Sequence, residues 1–161
     1  MTDRTPGDET ITLSPIGAVR STRTQPIDDA WGDVEATIVL DPTRVAPASL
    51  NGLEGFSHIE VVYYFHLVDE ASIELGARRP RGNPQWPEVG IFAQRAKGRP
   101  NRLGVSCCRL LSVKHLQLSV RGLDAIDGSP VLDVKPYMRE FHPCGPVAQP
   151  AWVAELMRDY W

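Results

Sequence analysis

A chain of 161 residues with 42% apolar and 23% charged side chains has the size of one domain and ordinary globular usage, which excludes a disordered chain and a disulfide-stapled miniature. Its net charge of -3 excludes a protein that coats polyanions indiscriminately, so any nucleic-acid contact has to come from a local patch. The three cysteines, two of them the neighbours Cys107 and Cys108, form no regular disulfide spacing and point to a reducing, cytoplasmic setting.

Residues 1–10 are polar, contain Pro6 and Gly7 and lack the apolar stretch of a secretory signal, so they read as a disordered N-terminus. No apolar run reaches the roughly 18 residues of a membrane-spanning helix, and no membrane partner is expected. Short apolar stretches bounded by turn residues then predict strands at 11–20, 35–40, 58–67, 89–95, 104–113, 116–121 and 131–134, which makes residues 11–146 a mainly β domain. The strand at 58–67 has the clearest two-residue period, with Ile59, Val61, Tyr63, Phe65 and Leu67 on one face. Cys107 and Cys108 fall in a strand, where neighbours point to opposite faces and one thiol fills the core. Asp127-Gly128 signals a tight turn, after which Leu132 and Val134 are expected on one face and Asp133 and Lys135 on the other. Residues 147–161 read as a C-terminal helix opened by Pro150, with Val153, Leu156, Met157 and Tyr160 at helical spacing.

Charge is concentrated in one stretch. Arg78, Arg79, Arg81, Arg95, Lys97, Arg99 and Arg102 face a single acid, Glu88, so this segment carries +6 and the remainder -9 to give the total of -3. Arginine forks suit phosphate and carboxylate oxygens, Pro80, Gly82, Pro84 and Pro87 mark an accessible loop, and Trp86 and Phe92 are candidates for stacking on bases. The competing reading is a solvated basic loop that pairs with acids of its own chain. His58, His66, His115 and His142 show no metal-ligand spacing, so no metal is expected, and His66 beside Phe65 also reads as a satisfied structural histidine. No glycine-rich loop opens a helix, which leaves a Rossmann or P-loop nucleotide site without support. Asp124, Asp127 and Asp133 crowd one segment, with turn formation as the simple reading of Asp127 and surface pairing that of Asp133.

Several blocks in order carry a family likeness: Pro15-Ile16-Gly17 with Val19-Arg20-Ser21, Gly55-Phe56-Ser57-His58-Ile59, Phe65-His66, Gly90-Ile91-Phe92-Ala93-Gln94-Arg95, Arg99-Pro100-Asn101 with Gly104, and the long block from Gly122 to Tyr137 that contains Asp127-Gly128-Ser129-Pro130. From Pro15 to Tyr137 the chain resembles the TsaA/TrmO family. The resemblance implies a small single β-barrel that binds S-adenosylmethionine without a Rossmann sheet, usually as a homodimer with the cofactor near the subunit interface. It implies methyl transfer to the exocyclic nitrogen of threonylcarbamoyl-adenosine beside the anticodon of threonine tRNA; a small-molecule methyl acceptor and a non-catalytic cofactor or RNA sensor are the alternatives. No DNA partner is expected. By motif, the cofactor would meet Gln25, Phe65, His66, Arg95, Val105, Ala125, Ile126, Asp127 and Gly128. Within the resemblance, Asp133, Lys135 and Tyr137 are the candidates for activating the acceptor. Arg99 and Asn101 would suit its carboxylate, and Arg78, Arg79, Arg81, Lys97 and Arg102 the RNA phosphates. Two departures stand out: Gln94-Arg95-Ala96-Lys97 replaces the common Thr-Arg-Ser-Pro, and Arg102 replaces proline.

Overall fold

The computed structural model describes Gly7 and residues 10–161. The expected disordered segment 1–10 therefore lies, apart from Gly7 and Thr10, outside the described residues. Among the described residues there are eight strands: β1 (Gly17–Ser21), β2 (Glu35–Leu40), β3 (His58–Tyr64), β4 (Ala77–Arg78), β5 (Val89–Gly90), β6 (Leu103–Lys114), β7 (Gln117–Arg121) and β8 (Pro130–Pro136). Six of them close an antiparallel barrel in the order β1-β2-β7-β6-β3-β8, while β4 and β5 pair separately. Closure leaves the barrel itself no edge strand to template pairing with another chain.

Two-residue alternation fills the barrel. Ala36, Ile38 and Leu40 of β2, Ile59, Val61 and Tyr63 of β3, Cys108 and Leu110 of β6, and Leu118 and Val120 of β7 point inward and pack with Val19, Leu123 and Val131. Cys107 points out and Cys108 in, as the alternation requires.

The strands differ from their expected bounds for identifiable reasons. The first begins only at Gly17, where Leu40 on one side and Val131 on the other become available as partners; Ile11 is left 80% exposed, and Pro15 has no N–H to offer a ladder. The strand expected to reach Leu67 stops at Tyr64, because its partner β6 begins at the facing Leu103; Leu67 is then 63% exposed. Of 89–95 only Val89–Gly90 is strand, followed by a 3-10 turn at Ile91–Ala93.

A register shift in β8 corrects the expected faces. Val62 pairs with Asp133 but Tyr63 with Val131, so Leu132 is the extra residue of a bulge. Val131 and Val134, rather than Leu132 and Val134, therefore reach the core, while Asp133 and Lys135 keep a common outer face. The C-terminal helix is also shorter than expected: α1 covers Ala151–Leu156, and turns continue to Tyr160. Six residues make no stable helix alone. Tertiary contacts hold it: the Trp86 ring lies 6.4 Å from that of Trp152, and Trp86 Nε1 donates to Glu155 Oε2 at 2.8 Å. The Ala30 and Trp31 amides donate to the Asp159 and Tyr160 carbonyls at 2.8 and 2.7 Å. Among the described residues no helix is long and apolar enough to cross a membrane.

Candidate cofactor site

The segment joining β7 to β8 ends in a turn over Ile126–Ser129, closed by the Ser129 amide on the Ile126 carbonyl at 3.2 Å. Gly128 occupies it at φ +78, a backbone conformation that side chains other than glycine resist. Four bonds pin the turn to β1 and the loop after it: the Ser21 amide donates to Asp127 Oδ1 at 3.0 Å, the Asp127 amide to the Arg23 carbonyl at 2.8 Å, the Gly128 amide to the Val19 carbonyl at 2.8 Å, and the Val19 amide to the Ser129 carbonyl at 2.9 Å. His66 faces this turn closely enough that a Cβ on Gly128 would stand 3.5 Å from its Nε2. His66 Nδ1 is buried and has no partner, so the reading of a satisfied structural histidine does not hold. Phe65 packs edge-to-face on Tyr63, with ring centroids 5.3 Å apart.

Of the sequence-derived cofactor residues, the fold thus unites Phe65, His66, Ala125, Ile126, Asp127 and Gly128. Arg95 and Val105 form a second pair, joined by a hydrogen bond from Arg95 Nη2 to the Val105 carbonyl. Gln25 lies exposed on the loop after β1, which the Asp127 and Arg23 contact fastens to the turn. An open groove of about 390 Å3 on the outside of β1, β2 and β7 is lined by Arg20, Glu35 and Ser119 among others, and meets these residues only at Asp127.

Asp124, directly before the turn, is the centre of a network that sequence reasoning passed over. Tyr63 Oη donates to its carbonyl at 3.0 Å and to Oδ1 at 2.9 Å; the Ser106 hydroxyl also donates to Oδ1, and Tyr160 Oη donates to Oδ2. Burial, and then the Asp124 charge, push the Tyr63 and Tyr160 phenols well above their ordinary range, so both remain protonated donors at neutral pH. The signal was present: Tyr63 and Ser106 both occupy inward positions of their strands, and a hydroxyl there needs a partner.

Elsewhere the expected residues divide. Arg81 grips Asp29 with two hydrogen bonds of 3.0 and 2.7 Å and lies 3.8 Å from Asp28, to which Lys97 also comes within 3.6 Å. Self-pairing of the basic loop is thus partly realised. Arg79 donates to the Trp86 carbonyl, Arg99 to that of Gln94 at 3.0 Å, and Arg102 to that of Val68 at 3.0 Å while lying 4.9 Å above the Tyr64 ring. Arg78 belongs to β4 and Asn101 is exposed. Trp86 is committed to Trp152 and Glu155, which corrects its expected freedom to stack, whereas Phe92 is 79% exposed. Asp133 and Lys135 form an outward ion pair at 2.8 Å, and Tyr137 lies just past β8 with its hydroxyl 3.4 Å from His142 Nδ1. Burial pushes the Cys108 thiol up to about 12 and raises Cys107 as well, which suits neither to nucleophilic work at neutral pH.

Comparison with known proteins adds to this geometry. The family model described as tRNA-methyltransferase O N-terminal domain matches residues 17–142. A probable S-adenosyl-L-methionine-binding protein from Methanothermobacter thermautotrophicus is 38% identical over 142 residues, covering 86% of this chain and 98% of the relative. The human tRNA (adenine(37)-N6)-methyltransferase is 38% identical over 93 residues, 58% of this chain and 21% of that protein. A crystal structure of TrmO from Pseudomonas aeruginosa superposes with a TM-score of 0.71 at 30% identity, over 87% of this chain and 61% of that one. The closed barrel and these matches together define a class, the S-adenosylmethionine-dependent methyltransferases built on a β-barrel instead of a Rossmann sheet. Within that class the chain belongs to the TrmO family.

Proposed function

We propose that the protein methylates the exocyclic nitrogen of threonylcarbamoyl-adenosine beside the anticodon of tRNA, with threonine tRNA as substrate. The observation that carries the reading is the meeting of His66 with the Asp127-Gly128 turn: a histidine whose buried Nδ1 has no partner, with its Nε2 edge turned to a glycine held at positive φ, fits a polar ligand seated there. On this reading Gln25, Phe65, His66, Arg95, Val105, Ala125, Ile126, Asp127 and Gly128 hold S-adenosylmethionine. Bound there, it supplies an electrophilic methyl group on a sulfonium.

The chain's own residues do the rest. Phe65 and Val105 wall an adenine, Arg95 offers its fork to a carboxylate, and Asp127 with the turn carbonyls favours a cationic centre. Much of the acceleration comes from holding the reacting atoms in line, which the four bonds on the turn favour. An acceptor nitrogen conjugated to a ring has to give up a proton. Asp133 is assigned as the acceptor of that proton, with Lys135 paired to it at 2.8 Å and Tyr137 completing the group. Arg99 and Asn101 suit the threonylcarbamoyl carboxylate, and Arg78, Arg79, Arg81, Lys97 and Arg102 the phosphates. Gln25 and Arg95 are exposed and Val105 keeps 46% of its surface, so one chain walls the site on one side; a second copy in a homodimer supplies the other. A cytoplasmic location accords with the free cysteines Cys107, Cys108 and Cys144.

A second reading, a small-molecule acceptor, draws support from Arg81 and Lys97, which are already engaged by Asp28 and Asp29. Transfer of a labelled methyl group to total tRNA with and without the threonylcarbamoyl modification separates the two. Label in modified tRNA alone is expected; label in neither preparation overturns the tRNA assignment.

A further inference from the structure

We propose that Tyr160 is a positioning residue for methyl transfer, a clasp through which the segment after α1 holds together the two loops that frame the cofactor site; this rests on the cofactor reading above. Tyr160 lies outside every motif that marks the family in this sequence, yet two of its groups reach the site. Its hydroxyl donates to Asp124 Oδ2, and its carbonyl accepts from the Trp31 amide at 2.7 Å while the neighbouring Asp159 carbonyl accepts from Ala30 at 2.8 Å. The first contact fixes the residue immediately before Ala125–Gly128. The other two fix the far end of the loop from Thr22 to Val34, which carries Gln25.

Three elements thus converge on one carboxylate: β3 through Tyr63, β6 through Ser106 and the segment after α1 through Tyr160. A carboxylate whose two oxygens are both taken up by hydroxyl donors from separate elements ties those elements together, which suits an anchoring role. Arg95 is near enough to act electrostatically on the Tyr160 phenol, so the clasp also adjoins the second group of cofactor residues. The Tyr160 ring is held independently, packed edge-to-face on Trp161 with centroids 5.0 Å apart. Removing the hydroxyl alone therefore opens the clasp and leaves the ring in place.

The test uses the full chain with Tyr160→Phe, Asp124→Asn and the double variant. Two quantities are read: the dissociation constant for S-adenosylmethionine and hydrogen exchange of the Leu123–Gly128 amides without ligand. Tyr160→Phe is expected to weaken binding by roughly tenfold and to speed exchange in that segment by a similar factor, as loss of one hydrogen bond to a charged group implies. In the Asp124→Asn background the same change should add less than about twofold, because the two side chains act as one unit. Unchanged exchange in Tyr160→Phe, or effects of the two substitutions that multiply, would overturn the clasp. Faster exchange with unaltered affinity would show a clasp that serves no positioning role and overturns the proposal. A wild-type chain that binds no S-adenosylmethionine sinks the cofactor reading itself, and the exchange data then report on the clasp separately.

Discussion

Replacing Tyr63 by Phe isolates the contribution of one buried hydroxyl. The ring is 1% exposed, so the change keeps the packing against Phe65 and removes only the oxygen that bonds the Asp124 carbonyl and carboxylate at 3.0 and 2.9 Å. Asp124 retains Ser106 and Tyr160 as donors, which limits the damage. A hydrogen bond to a charged group is worth about 1.5–3 kcal/mol, so the expected loss is about 2 kcal/mol. For a chain of this length each kcal/mol moves the midpoint by about 2–4 °C, which gives a Tm roughly 4–8 °C lower. Urea denaturation followed by tryptophan fluorescence reads the quantity directly, with a lower midpoint at unchanged slope. A variant within about 0.5 kcal/mol of wild type would refute the claim that Asp124 organises the inner network.

Gly104→Ala should cost more, about 3 kcal/mol, because a Cβ there overlaps the Tyr63 ring in a packed barrel; equal stability to wild type in the same denaturation assay would mean that β3 and β6 yield easily. Stability should fall above about pH 9. The Cys108 thiol is raised to about 12 and the Tyr63 phenol further above its ordinary range, so the folded chain keeps protons that the unfolded chain releases. That contribution is complete below the unfolded values and is lost as pH rises, first through the thiol and from about pH 10 also through the phenol, at about 1.4 kcal/mol per pH unit for each group. Denaturation midpoints that stay flat from pH 9 to 11 would contradict this. Substituting Arg78, Arg79 and Arg81 together by Ala should lower the slope of log affinity for tRNA against log salt by about 2, less than three free contacts would give, since Asp29 already holds Arg81; an unaltered slope removes the loop from the RNA surface.

Local regularity explains which parts of this architecture were legible. Alternation at Ile59, Val61 and Tyr63, the opposed Cys107 and Cys108, and the Asp127-Gly128 turn are short-range features, and the structure contains each of them. The bulge at Leu132 was hidden because one extra residue inverts the alternation without leaving a mark in composition. Strand ends at Gly17 and Tyr64 depend on where a partner runs out, which no window of sequence contains. The Asp124 network joins Tyr63, Ser106 and Tyr160, positions separated by tens of residues, so its members were visible singly as inward hydroxyls but not as a set. Likewise, seven basic residues in one stretch announced a charged loop, while Asp28 and Asp29, which neutralise part of it, sit some fifty residues earlier.

Titration calorimetry of S-adenosylmethionine into the purified chain bears most directly on the site at His66 and the Asp127-Gly128 turn. A saturable heat with one ligand per chain, lost when Gly128 is replaced by Val to fill the space beside His66, is the expected result. No heat at millimolar ligand, or undiminished binding to Gly128→Val, would contradict it.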